Sequence, residues 1–137
     1  MDETNGRVMR RAFEEIMAHG NVRAIDELFA SDFAGHDTSD HIFGREEFRA
    51  GVLVMLSAFS ARQVEIADQV VDGDKVATRW KATGVHSGEF HGIRATGRQV
   101  SMTGISIDRI AGGKIVESWE VTDDAGLLRQ LGVMPSP

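Results

Sequence analysis

The chain has no cysteine and no tyrosine, and only two prolines in 137 residues. Without cysteine there is no thiol nucleophile, disulfide scaffold, thiolate zinc site or redox dithiol. Without tyrosine there is no phenol to act as an acid or to hold an oxyanion. Basic residues are also in deficit. Fifteen Lys and Arg stand against 21 Asp and Glu, a formal net charge of -6. A nucleic-acid surface needs clustered cations to displace phosphate counterions, so that partner class is not expected. No apolar run is long enough to span a bilayer. The N-terminal stretch MDETNGRVMRRAFEE is charged throughout, unlike a secretory leader, and the expected location is the cytoplasm.

What is present describes an ordinary globular domain. The composition is 42% hydrophobic and 26% charged, and the length suits one core, so residues 1–137 are read as a single domain. The first third has helical spacing, in Val8, Phe13, Ile16 and Met17 and again in Val22, Ile25, Leu28 and Phe29. Phe33–His36 reads as a short strand, 37–43 as a polar loop, and Phe48, Val52, Leu56 and Phe59 as the face of a third helix.

After Ser60 the period becomes two. Val64, Ile66, Val70 and Val71 predict a strand, and Asp72-Gly73-Asp74 predicts a hairpin turn. Val76, Thr78, Trp80 and Ala82 alternate with charged residues on the return strand. A glycine-rich segment, 86–97, separates this strand from two more, 100–110 and 114–122, which are joined by Ala111-Gly112-Gly113. A short helix over 127–131 ends the pattern. Helices followed by hairpin-linked strands predict an α+β fold. A curved sheet covered by helices makes a cone with a pocket, a shape that suits a small molecule.

The segment GVHSGEFHGIRATG (84–97) and the ending GISIDRIAGGKIVESWEVTDDAGLLRQLG (104–132) closely resemble the SnoaL-like polyketide cyclases, or ester cyclases, of the nuclear transport factor two-like superfamily. DELFASDFAGHD (26–37) and GREEFRAG (44–51) agree with them. The resemblance implies a cone-shaped barrel, in which a curved antiparallel sheet wraps around N-terminal helices and an internal apolar pocket. It also implies intramolecular aldol ring closure without cofactor or metal, on a small apolar carbonyl compound such as a polyketide methyl ester. The family's catalytic Asp, after W-x-x-x, falls on Asp123. Its histidines fall on His36 and His86, and its last-strand tryptophan on Trp119.

The residues admit other readings. Asp123-Asp124 precedes a helix, and Asp is a favoured N-cap. An unbroken alternation puts Asp123 on one face with Val121, Trp119, Glu117 and Ile115, so Glu117 is either a second pocket acid or a paired strand residue. His36, next to Asp37, which can orient its imidazole, is a polar positioning group or a rim histidine. His86 either contacts a substrate carbonyl or anchors the glycine-rich segment. Trp80, Met102 and Phe33 are expected in the pocket wall and equally suit a core. His36, His41, Asp37 and Asp40 match no metal-ligand spacing, and no metal site is expected.

Three functions remain in view. One is a cofactor-free cyclase, another is an isomerase or hydrolase using the same pocket, and the third is a non-catalytic ligand-binding dimeric module. The missing tyrosine disfavours the usual ketosteroid isomerase. Ile105, Ile107 and Val116 are candidates for an apolar sheet face that would pair two copies, so a homodimer or higher homo-oligomer is expected.

Overall fold

The computed structural model describes residues 4–135. Helix α1 (Thr4–Arg11) runs directly into a π-helical segment, Ala12–Ala18, and α2 spans Ala24–Leu28. Strands β1 (Phe29–His36) and β2 (Ile42–Phe43) precede α3 (Arg45–Ala58). Four long strands follow: β3 (Phe59–Asp72), β4 (Lys75–His86), β5 (Gln99–Ala111) and β6 (Lys114–Thr122). Helix α4 (Asp124–Gln130) closes the described chain. None of these helices is long and apolar enough to cross a membrane.

The strands form one curved six-stranded sheet in the order β2-β1-β6-β5-β4-β3. The α+β cone expected from the sequence is present, with its sheet open rather than closed. One pairing departs from the antiparallel pattern: β1 lies parallel to β6. Boundaries also differ from the sequence reading: Phe59, read as helical, opens β3, and Ile42–Phe43, read as loop, pairs with β1 as β2. The first strand starts at Phe29 rather than Phe33, because Phe29 bonds beside Ile115 as soon as α2 ends. The last helix starts at Asp124 rather than Leu127, because Asp123 caps it.

Helical and strand faces meet as their periods dictate. Val8, Met9, Ala12, Phe13 and Ile16 are buried against the concave side of the sheet, where Val76 and Trp80 of β4 are also buried. Phe13 and Trp80 meet with ring centroids 6.1 Å apart. Ile25, Leu28, Ile110 and Ile115, all nearly inaccessible, belong to the same core. A second cluster of Ala58, Phe59, Val100, Leu127 and Leu131 ties α4 to the end of α3.

One glycine is required by packing. Gly104 sits opposite Trp80, and a Cβ there would lie 2.4 Å from the indole ring. The bare backbone lets the indole lie flat on β5.

Register determines which side chains enter the cone. On the inner face, β4 and β5 pair Thr78 with Ser106 and Trp80 with Gly104, and β5 and β6 pair Ser106 with Glu120 and Asp108 with Ser118. The outer face pairs Ile105 with Val121, Ile107 with Trp119 and Arg109 with Glu117. The unbroken alternation expected along β6 fails at one point. Arg109 faces Glu117 but Ile110 faces Ile115, which leaves Val116 as a bulge. The extra residue puts Ile115 inside with Ser118 and Glu120, and turns Glu117, Trp119 and Val121 outward.

Candidate active site

The cone encloses a cavity of two lobes. The first, about 110 Å³, is lined mainly by aromatic and aliphatic side chains, among them Phe13, Phe29, Phe33, Phe43 and Phe48. Its polar groups are Ser106, Asp108, Ser118 and Glu120. The second, about 160 Å³, includes Met55, Phe59, Arg62, Val100, Met102 and Leu127. Met17, Val64, Trp80, Ala82 and Glu120 line both lobes, so Glu120 stands where they join.

The two carboxylic acids in this wall are unusual for their setting. Asp108 is 3% exposed and has no basic partner among the described residues. Its Oδ2 accepts a hydrogen bond of 2.8 Å from the Ser106 hydroxyl, and Ser118 also bonds to it. Burial pushes its pKa up to about 6, against the opposing pull of the two hydroxyls. Glu120 is solvent-accessible and lines both lobes. Crowding by protein, with smaller contributions from the charges of Asp108 and Asp124, pushes its pKa up to about 7. Hydroxyl hydrogen bonds thus steady Asp108, while Glu120 forms no ion pair with any described residue. A carboxyl that titrates near neutrality in an apolar cavity can both take and return a proton.

The residues singled out in the sequence fall in several places. Phe33, Trp80 and Met102 line the cavity. Asp123 is exposed and caps α4, its Oδ1 accepting from the Gly126 amide at 2.9 Å. It is not among the lining residues. His36, Glu117 and Trp119 lie together on the outer face. His36 Nε2 is 2.8 Å from Glu117 Oε2, and its ring stacks on Trp119 at 5.1 Å with 7° between planes. Arg109 binds the other oxygen of Glu117 at 3.3 Å. His36 and Arg109 hold the Glu117 carboxyl below its ordinary pKa.

His86 is fully buried, its ring 5.5 Å from that of Phe59, which lines the second lobe. Its Nδ1 accepts from the Thr96 amide at 3.1 Å, which leaves the proton on Nε2. Nε2 has no partner among the described residues. The backbone of His86 also bonds to Arg98 and Gly97. The histidine therefore pins both ends of the glycine-rich segment, the anchoring alternative of the sequence reading. No group of three or more metal-ligating side chains occurs among the described residues.

Ser106, Asp108, Ser118 and Glu120 were not legible as site residues. Their signal was a polar alternation, Ser106 and Asp108 in phase with Gly104, set against the apolar Ile105 and Ile107. Counting through the turn at 111–113 pairs Ser106 with Glu120 and Asp108 with Ser118 on β6, and only the pairing of the same row with Thr78 and Trp80 on β4 shows that it faces inward.

A family profile described as SnoaL-like polyketide cyclase matches residues 7–131. Among solved structures, a putative polyketide cyclase, IdmH from Streptomyces antibioticus, shares 30% identity with a TM-score of 0.82 over 94% of this chain and 99% of that one. TsrD from Streptomyces laurentii shares 28% identity with a TM-score of 0.85, covering 98% and 99%. AclR from Streptomyces galilaeus, a putative hydroxylase, shares 26% identity with a TM-score of 0.89, covering 97% and 83%. No curated protein matches the chain in sequence.

Proposed function

The chain belongs to the SnoaL-like polyketide cyclase family, and on that premise we propose that it is a cofactor-free enzyme that closes a ring by intramolecular aldol addition. Its substrate is a small apolar compound with several carbonyl groups, and Glu120 is its proton carrier. One observation carries the reading: Glu120 sits at the junction of two apolar lobes with a pKa pushed up to about 7.

In the proposed reaction the ionised Glu120 takes a proton from a carbon flanked by carbonyls. The carbon's electron pair forms a bond to a second carbonyl carbon of the same molecule. The oxygen of that carbonyl gains the displaced electron pair and takes the proton back from Glu120, so the enzyme ends as it began. Asp108 assists as a neighbouring charge. With its lower pKa, about 6, it ionises first and keeps the proton on Glu120 until near neutrality. The aromatic wall of the first lobe would hold the apolar body of the substrate beside these groups.

This proposal assigns the acid/base role to Glu120 and gives Asp123 the structural task of capping α4. His36 and His86 act as an outer-face partner of Glu117 and a loop anchor.

Deuterium exchange at the acidic carbon of methyl benzoylacetate, followed by NMR, tests the proton-transfer step. The wild-type protein should accelerate exchange and Glu120→Gln should not. Equal acceleration by the variant would remove Glu120 from the mechanism. No acceleration by the wild type would favour a binding module.

The proposal extends to assembly. Ile105, Ile107, Trp119 and Val121 are 38% to 59% exposed and adjoin on the outer face of β5 and β6. Contiguous apolar surface of this kind favours a protein partner, and a second copy of the chain is the partner proposed.

A further inference from the structure

We propose that the second lobe recognises a carboxylate, with Arg62 as the residue that binds it, so that the substrate is an apolar carbonyl compound carrying one acidic end. The proposal rests on the reading of this cavity as the substrate site and adds a substrate class to it.

Arg62 is a half-buried cation in an otherwise largely apolar wall. Its nitrogens donate to the backbone carbonyls of Met17, Phe59 and Ala18 at 3.2, 2.8 and 3.5 Å. No carboxylate among the described residues pairs with it. A guanidinium has five N–H donors, and three of them account for these bonds. The positive charge and two donors remain. The backbone contacts fix the planar fork in place, and a fixed fork is the geometry that binds a carboxylate well.

The chain is distorted where it delivers this residue. Ala61, immediately before Arg62, has φ of 51°, in the region that favours glycine, and the pairing of β3 with β4 slips between Ser60 and Gln63. A bulge of this kind re-aims the side chain that follows it. Arg62 and Val64 then both line the second lobe. Backbone strain of this kind persists only where the surrounding structure over-determines it, and it clusters at ligand sites.

Glu120 lines the same lobe from β6, whereas Arg62 enters it from β3 at the far edge of the sheet. A ligand can place its acidic end at Arg62 and its reacting carbon at Glu120, with its apolar body extending into the aromatic first lobe.

The test compares 2-naphthoate with its neutral isostere 2-naphthamide by titration calorimetry at pH 6, where Glu120 remains largely protonated. The wild-type protein should bind the acid at least about tenfold more tightly, the scale of one charge-assisted hydrogen bond pair. Arg62→Met should abolish that preference while still binding naphthamide, which reports an intact cavity. A wild type without preference, or one that binds neither probe, overturns the proposal without use of any variant. A preference that survives in Arg62→Met overturns it too. Should that variant fail to fold, Arg62→Lys replaces it: a preference weakened but retained supports the assignment, and an unchanged one overturns it. Glu120→Gln should keep the full preference. The carboxylate preference and the exchange reaction are thus lost independently, and failure of one reading is told from failure of the other.

Discussion

Asp108 and Glu120 stand diagonally across β5 and β6, each directly opposite a serine of the neighbouring strand. Diagonal neighbours on a sheet face are about 7–8 Å apart at the backbone, within reach of charged side chains. Consistent with this, the Asp108 charge is one of the causes that raise the Glu120 pKa. Asp108→Asn should therefore lower the Glu120 pKa. The pH–rate profile of methyl benzoylacetate exchange reads this directly: its rising limb should move to lower pH in Asp108→Asn. In Glu120→Gln the rate should fall by about 10²–10⁴, the usual contribution of a positioned acid/base.

The same pair makes the protein less stable at high pH. Both folded-state pKa values are raised, Asp108 from 3.8 to about 6 and Glu120 from 4.5 to about 7. The native state therefore binds protons more tightly than the unfolded state. Each contribution is fully present below the unfolded value and is lost as pH rises through the folded one. For Asp108 the loss is about 3 kcal/mol, taking ~1.36 kcal/mol per pKa unit. Thermal melts of Asp108→Asn should show a Tm several degrees above wild type at pH 8, with the difference closing at pH 4.

Helix capping gives the opposite kind of test. Asp123→Ala removes the side-chain bond to Gly126 and should cost about 1 kcal/mol. Asp123→Asn keeps a capping oxygen and should change stability little. Both variants should retain the exchange activity of the wild type, and a large loss in Asp123→Asn would return that residue to the mechanism.

The expected inner face of β6 fails at one inserted residue. Alternation along β6 is correct from Glu117 to Thr122, but Ile115 belongs to the other phase because Val116 is a bulge. Anchored on Ile115, the period places Trp119 and Glu117 inside. Anchored on the hairpin register, it places Ser118 and Glu120 there. Nothing in the local residues marks the bulge. The helices, turns and hairpins were legible because their signals are local: helical spacing, Asp-Gly-Asp and Gly-Gly. The parallel pairing of β1 with β6 and the acid pair were not, because both depend on strands meeting across the fold.

Gly104 couples packing to ligand capacity. Gly104→Ala would drive the Trp80 ring away from β5 and into the space it lines in both lobes. A lowered Tm and loss of 2-naphthamide binding are expected together. Calorimetry showing full affinity in this variant would mean that the indole has another place to go.

The outer face makes a separate prediction. Ile107→Lys puts a charge beside Trp119 in the middle of the apolar patch. Light scattering after size exclusion should show a dimer for the wild type and a monomer for the variant, with secondary structure unchanged. A wild type that is monomeric at all concentrations would remove the assembly proposal.

The parallel contact between β1 and β6 bears on how the molecule comes into being. Residue 29 lies beside residue 115, and the Lys114 amine reaches back to the carbonyls of Asp26 and Glu27. During synthesis the first strand must therefore wait for the last one. Until then its only partner within the sheet is the two-residue β2. Completion of the cone therefore requires a long-range loop closure, the kind of contact that slows folding. Until it forms, the segment 29–36 exposes an unpaired strand edge, a surface prone to misassociation.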